Sequence, residues 1–453
     1  MPANRNMPVL ILAIALCTSA VAETDQTTES DAAGALGQLD GGEGEGTPDV
    51  EAASDPEGLD VWNREQLTGN WWGTRSALED AGISFEPYVI IDWSKNTRGG
   101  LDTEGSAFRH VLSLNATADL TQLLGWDSGS VFVDFHNQHG AMGSDEVGDY
   151  QFVGNWDSDG LTQVSELWFE YELDEGTYRI KVGKVDANWE FAYSELGWEF
   201  VQGSASYPAT NFLMPTYPDP AMGLNLLYYP DDHLSVGFGI YDGSMQEGIR
   251  PGSNGPSALF GPPADLYLID EVGLNWHVTD SSLPGRVAVG GWFHTGSFVV
   301  FDDPNSDPRS GTGGFYLVID QLLWREQAPE GTEGDFYDQG IGFFFQYDYA
   351  DPDVMWADHH VGAGLTWRGL LPGRDDDLVG VGLHWLHFTD EPFAGYTDTD
   401  DAETAYEAFY KAQVTPAMSV QPYIQVIEQP GGVGLDTAVN VVNVGSKVQR
   451  PPG

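Results

Sequence analysis

From Ile83 to about Val448 the chain repeats one pattern, with apolar residues at every second position, broken by polar, Gly- and Asp-rich connections. Successive side chains of a strand point to opposite faces, so this repeat specifies strands with two unlike sides. Leu167, Phe169, Tyr171 and Leu173 share one face, while Glu166, Trp168, Glu170 and Glu172 share the other. A soluble core has no use for four residues of the second kind. A closed barrel with lipid outside and water inside accepts both faces. The pattern therefore predicts an all-β, transmembrane antiparallel β-barrel whose function lies on the inner wall.

The two ends of the chain differ from this middle. No apolar run is long enough to cross a bilayer as a mature helix. Residues 1–22 read as a secretory signal peptide, with Arg5 as the basic start, Val9 to Leu16 as the apolar stretch and Ala20-Val21-Ala22 as the cleavage site. The sole cysteine, Cys17, falls inside it behind Leu16, which is too bulky for a lipoprotein site, so the mature chain carries no disulfide. Residues 23–58 are Gly-, Ala- and acid-rich and read as a disordered periplasmic linker. Residues 59–82 switch to helical spacing with Gly82 as a stop, which predicts a short periplasmic helical segment. The remainder, 83–453, is assigned to the barrel. A formal net charge of −52, from 70 acidic against 18 basic residues, excludes a nucleic-acid partner. The acid excess reads first as surface hydration and second as an ion-related role, a channel that disfavours anions.

Counting alternating segments gives about sixteen strands, an even number as expected of a bacterial single-chain barrel. Connection length is a stronger test, because short periplasmic turns and long external loops should alternate. Turns at Asp174-Glu175-Gly176, Pro230-Asp231-Asp232, Leu283-Pro284-Gly285, Pro372-Gly373-Arg374 and Pro416 share one parity. Long loops at Gly140 to Thr162, Ala187 to Ala221, Asp242 to Asp265 and Thr389 to Glu403 share the other. Arg325 to Asp338 is the exception, too long for a turn. The outer face reads Leu234, Val236, Phe238, Ile240 and Ile341, Phe343, Phe345, Tyr347, Tyr349; the inner face reads Ser235, Gly237, Gly239, Tyr241 and Gly342, Phe344, Gln346, Asp348. This predicts a polar, roomy lumen, with Trp and Tyr near strand ends forming an interfacial girdle.

Several stretches in order resemble one family. LTGNWWGTRSALEDAGISFE is similar to the Gly-Asp-Trp-Gly-Gly-x-Arg opening of the carbohydrate-selective porins of the OprB type, with Asn70 replacing an acid and Trp72 a glycine. SELWFEYELDEGTYRIKVGKVDANWEFA resembles that family's Glu-Leu-Trp-Tyr-Glu and Gly-Lys-x-Asp-Ala-Asn-x-Glu-Phe-Ala, and GGWFHTGSF, YLVIDQLLWRE, GLLPGRDDDLVGVG and QPYIQVIEQPGG follow in family order. The chain departs at its end, Lys447 to Gly453, where the family usually finishes on an apolar strand with a terminal Phe. The resemblance implies a sixteen-stranded outer-membrane channel, a homotrimer in outer-membrane lipid, for passive uptake of small sugars such as glucose, with no enzymatic activity. A general diffusion porin without sugar preference is the nearest alternative. A barrel enzyme and a secreted carbohydrate-binding β-sandwich are more distant ones, and no catalytic grouping rises above the background of accidental acid pairs.

Sugar passage needs hydrogen-bonding groups and aromatic faces. On the inner parity, Glu166, Trp168 and Glu170 stand together, and Arg109 lies with Ser113, Asn115 and Thr117 on another strand. These are the first pore-lining candidates; a structural Arg–Glu ladder is the competing reading, and the two are compatible. Lys184 falls on the outer parity with Ile180 and Val182, so a bulge must re-aim it or it snorkels at the rim. The resemblance draws it toward the pore with Asp186, Asn188 and Glu190. The stretch to Ala221 is long enough to fold inward and narrow the channel. The histidines, including His359-His360 and His384 with His387, show no three-ligand spacing and read as wall or rim residues. No cofactor is expected, though the acidic stretches Asp302 to Asp307 and Asp398 to Glu403 could hold calcium between loops.

Overall fold

The computed structural model of the chain describes residues 62–277, 283–301, 307–326, 335–389, 399–442 and 446–447. The expected signal peptide and linker, the first residues of the 59–82 segment and the last six residues lie outside them. Nineteen strand segments form one antiparallel sheet that closes on itself. Three staves are interrupted, so the segments make a barrel of sixteen strands. In chain order these are β1 (Ile83–Phe85 and Tyr88–Asn96), β2 (Ala107–Asp119), β3 (Gly129–Gly140), β4 (Leu161–Leu173), β5 (Tyr178–Val185), β6 (Ala221–Asp231), β7 (Leu234–Asp242) and β8 (Leu266–His277). The second half comprises β9 (Pro284–Phe298), β10 (Arg309–Arg325), β11 (Gly340–Ala350), β12 (Ala357–Arg368), β13 (Leu378–Phe388), β14 (Ala402–Thr415), β15 (Met418–Val420 and Tyr423–Glu428) and β16 (Ala438–Val442 and Ser446–Lys447). Each strand pairs with its sequence neighbour, and β16 pairs back onto β1 through Asn440 opposite Asn96 and Ser446 opposite Ile91. Closure removes the sheet edge that lipid could not satisfy.

The faces follow the alternation. Along β11, Gly340, Gly342, Phe344, Gln346, Asp348 and Ala350 are buried inward, while Ile341, Phe343, Phe345, Tyr347 and Tyr349 alternate on the other side. Outward residues such as Leu167, Val182, Phe238, Val289, Leu365, Val381 and Ile424 are exposed and form the apolar band. Trp126 stacks on Phe169 at 5.3 Å and Trp324 meets Trp367 at 6.3 Å, the girdle geometry expected near the short-turn end. Short connections and long loops sort to opposite ends as expected. Arg325 remains the exception, tied to Asp338 at 2.9 Å at the two ends of its long connection.

At the short-turn end a seven-residue helix, α1 (Thr74–Asp80), precedes β1, and Gly82 ends it at φ +91°. Arg75 is buried there and donates to the Phe85 carbonyl at 2.6 Å and the Gly69 carbonyl at 3.2 Å. That network ties the helix to the start of the first strand.

The lumen differs from the expectation of a roomy channel. Its inner glycines are seats for a long inward loop. A Cβ on Gly237 would come within 2.8 Å of Phe191, one on Gly342 within 2.6 Å of Leu196, and one on Gly382 within 2.7 Å of Phe200. Small residues on the wall thus mark where the loop packs, and water does not fill that space.

Candidate functional site: the loop-narrowed lumen

Loop 186–220 leaves β5 at the long-loop end and descends through the barrel. Asp186 starts it by accepting from the backbone N–H of Asn188 at 2.9 Å, while its second oxygen takes the Tyr217 N–H at 2.9 Å. One carboxylate therefore pins the beginning of the loop to its return. Asn188 donates to the Phe191 carbonyl at 3.1 Å and tightens the turn. Glu190 then meets Arg179 and, at 2.5 Å, Lys181. These are the second and fourth residues of β5, so the loop has fallen nearly the length of that strand. It crosses the short-turn half of the lumen and climbs back, reaching Asp348 near the far end of β11 through Thr210.

Carboxylates of the wall hold this path. Glu271 accepts the Ala192 N–H at 2.8 Å; Asp320 accepts Ser194 Oγ–H at 2.6 Å and the Leu196 N–H at 3.1 Å; Glu407 accepts the Val201 and Gln202 N–H groups at 2.9 and 2.7 Å. A hydrogen bond to an ionised acceptor contributes about 1.5–3 kcal/mol, and here it also satisfies backbone donors that a buried loop would otherwise orphan. Glu403 does the same for loop 141–160, accepting the Tyr150 and Gln151 N–H groups at 2.8 and 3.0 Å. Cations complete the scaffold. Arg286 pairs with Glu271 at 2.8 Å and lies 4.6 Å from the Tyr193 ring, and Lys411 and Arg368 both reach Glu199, at 2.6 and 3.2 Å.

The expected pore residues divide accordingly. Arg109 does not join Glu166, Trp168 and Glu170, because it sits near the long-loop end of β2. It is buried between Asp92 at 2.5 Å and Asp157 of loop 141–160 at 2.9 Å. Glu166 accepts the Asp186 N–H at 3.2 Å. Trp168 is already engaged, stacked on Phe132 at 4.9 Å with Lys181 Nζ 4.2 Å from its centroid. Glu170, Lys181, Arg179 and Glu190 form a charge ladder, with Lys181 3.3 Å and Arg179 3.4 Å from Glu170, whereas the ladder read from the sequence had Arg109 as its cation. Lys184 turns inward: its Nζ donates to Gln163 Oε1 at 3.0 Å and to the Val164 and Gly252 carbonyls at 2.5 Å. The backbone re-aims it, for Gly183 takes φ +145°, a conformation that glycine supplies, and the facing β4 carries a bulge at Ser165.

Arg179 and Lys181 were legible on the inner parity of β5, opposite Ile180 and Val182, but the sequence reading did not select them. Trp189 and Trp198 were also missed. Both stand on the inward loop, their rings 5.2 Å apart, and Trp189 is 52% exposed although its neighbours are buried. Higher in the lumen, the two loops enclose a cleft of about 140 Å³ lined by Asn155, Asp157, Tyr207, Asn211, Thr216 and Tyr217 among others. At ~30 Å³ each, roughly four or five waters fill such a volume. The channel thus offers a mixed cleft, its amide and hydroxyl groups set among Phe152, Phe212, Met214 and Met245, above the exposed Trp189 indole and its half-buried partner Trp198, beside a charge ladder. That sequence of groups can exchange water for hydroxyls and contact the apolar face of a ring. The acidic stretch from Asp398 contributes Glu403 to backbone anchoring; Asp398 itself and residues 302–306 lie outside the described residues.

Comparison with known proteins agrees with the barrel fold. The profile of the carbohydrate-selective porin, OprB family, matches residues 103–449. Porin B of Pseudomonas aeruginosa is 24% identical over 432 residues, covering 85% of this chain and 91% of that protein. The putative porin QuiX of Acinetobacter baylyi is 22% identical over 409 residues, covering 83% and 91%. The high-pH structure of Pseudomonas putida OprB superposes with a TM-score of 0.73 at 20% identity, covering 85% of this chain and 99% of that one. The chain belongs to the carbohydrate-selective porins of the OprB family, and is a passive channel of the Gram-negative outer membrane, not an enzyme.

Proposed function

We propose that this porin passes small neutral sugars, monosaccharides such as glucose, by stepwise exchange between the upper cleft and the Trp189–Trp198 pair. The observation that carries this reading is the exposed Trp189 indole, held inside the lumen next to the Glu190–Arg179–Lys181 ladder. An aromatic face binds the C–H side of a pyranose, and adjacent charged groups hydrogen-bond its hydroxyls. Multiple weak sites allow release as well as entry. A non-selective diffusion pore would gain nothing from a bare indole at the narrow part of the path.

The wall acids also bear on ion preference. Glu271, Asp320, Asp348, Glu403 and Glu407 are engaged by loop backbones or wall cations, so the net charge of −52 overstates the acid that faces the path. We infer a mild cation preference, carried by the part of the acid excess that stays solvated. Assembly as a homotrimer is the family expectation, tested by the mass of the detergent-solubilised complex.

Swelling of liposomes containing the purified protein tests the sugar reading. Glucose should enter faster than a neutral, non-sugar solute of equal size, and disaccharides slower than monosaccharides. Equal rates for glucose and the size-matched solute would leave only a general pore.

A further inference from the structure

A second feature lies on the outside of the barrel at its long-loop end. His359, the third residue of β12, and His387, next to last in β13, are direct cross-strand partners. Their rings are 6.2 Å apart and inclined at 65°, and both side chains are more than a third exposed, at 39% and 34%. A register shift between Ala357 and His359 lets Asp358 reach toward both. Its Oδ1 is 2.6 Å from His387 Nδ1 and its Oδ2 is 3.8 Å from His359 Nε2. His359 Nδ1 in turn lies 2.9 Å from the Tyr347 hydroxyl.

We propose that His359 and His387 form a two-imidazole site for a divalent transition ion of the Zn²⁺ type at the outer rim of the barrel. The chemistry of the partners carries the assignment. A carboxylate at Nδ1 fixes the His387 tautomer, with Nδ1–H donating and the Nε2 lone pair available, and the Tyr347 hydroxyl can accept from His359 Nδ1–H in the same way. Metal-binding imidazoles are oriented by such partners at their other nitrogen. With Zn–N near 2.0–2.1 Å, two imidazoles on one tetrahedral ion place their centroids about 5 Å apart. The ring centroids of the pair stand at 6.2 Å, about 1 Å beyond that spacing, on two half-exposed side chains. Among the described residues no group of three or more side chains is placed to hold a metal, so the site offers two protein donors and leaves the other positions open. Imidazole donors select Zn²⁺, Cu²⁺ or Ni²⁺ over Ca²⁺ and Mg²⁺. The neighbouring His360 and His384 face inward, where His360 Nδ1 pairs with Asp348 at 2.6 Å, and they take no part.

The test is calorimetric titration of ZnCl₂ into the tag-free barrel in detergent, with Cu²⁺ electron paramagnetic resonance as a second readout. The wild-type protein should show one saturable site and nitrogen hyperfine structure. His359→Ala and His387→Gln should each weaken binding at least 10-fold, and Asp358→Asn by 10–100-fold, the range for loss of an orienting partner. All three should keep wild-type channel conductance, which certifies the fold independently of the metal. Binding that survives the His359→Ala/His387→Gln double variant would overturn the proposal and move the ion to the acidic loops. So would the absence of any Zn²⁺ binding, or saturable binding of inorganic phosphate in its place at the pair.

Discussion

The lumen has two walls that look alike in sequence and behave differently in structure. From β8 to β14, inner acids such as Glu271, Asp320 and Glu407 are spent on the backbone of loop 186–220, and inner glycines on β7, β11 and β13 are filled by its side chains. On β4 and β5, Glu170, Arg179 and Lys181 pair with each other and with Glu190, yet Arg179 keeps 26% of its side chain exposed. The first wall is scaffold and the second is path. A charged residue on the inner parity of a barrel strand is therefore a pore residue only where it keeps exposed surface beside the inward loop, as Arg179 does.

The largest expected effect comes from breaking the scaffold. Asp320 is fully buried and holds Ser194, Glu195 and Leu196. Asp320→Ala removes these acceptors and leaves Arg286, 3.9 Å away, with one partner fewer. Breaking a buried, paired charge costs about 3–5 kcal/mol. The loop should detach locally, seen as a several-fold rise in single-channel conductance and as proteolysis between residues 190 and 200. Unchanged conductance would return Asp320 to the path.

Next in size, Gly382→Val puts a side chain where a Cβ would come within 2.7 Å of Phe200. Overpacking costs about 1–3 kcal/mol. It should lower the melting temperature and raise conductance, whereas a change to the solvated Glu172 should do neither. On the path wall, Arg179→Met, at a side chain that keeps 26% exposure, should leave the melting temperature within a few degrees but strengthen cation preference, read as a shift in reversal potential. A large loss of stability there would make the second wall scaffold too.

A smaller effect tests the other loop. Burial first, then the neighbouring Glu403, hold the Asp149 carboxyl well above the usual carboxylate range, against a Ser144 hydrogen bond. The native loop therefore keeps a proton over a pH range where the unfolded chain has released it. Its stability should fall as pH rises above the ordinary carboxylate pKa of about 3.9, until the native group also ionises. Asp149→Asn should abolish that decline, protecting loop 141–160 from proteolysis at pH 8 and changing nothing at pH 3. The smallest effect concerns Trp72, which stands at φ +56°, a left-handed conformation that favours glycine. Trp72→Gly should relieve a left-handed strain of about 1–3 kcal/mol, partly offset by the entropy glycine adds to the unfolded chain, for a small net rise in melting temperature.

These contrasts also show what the sequence could convey. Strand number, faces and loop parity are set by local alternation, because lipid on one side and water on the other fix every second residue; Leu234 to Tyr241 reads directly into β7. Lys184 resisted that reading because a glycine at φ +145° breaks the period at one point. Arg109 was placed on the inner face but its partner Asp157 was not legible, because it comes from a loop, and alternation says nothing about where a loop returns. Trp189 lay between Asn188 and Glu190, both selected, and only its exposure inside a buried loop separates it from a girdle tryptophan.

The central claim is that sugar meets the indole pair of the inward loop. Single-channel current in a planar bilayer, recorded while glucose is titrated, tests it most directly when the wild-type protein is set beside Trp189→Ala. The account predicts concentration-dependent block in the wild type that weakens at least several-fold in the variant, with open-channel conductance the same or slightly higher. Equal glucose block in both proteins would contradict it.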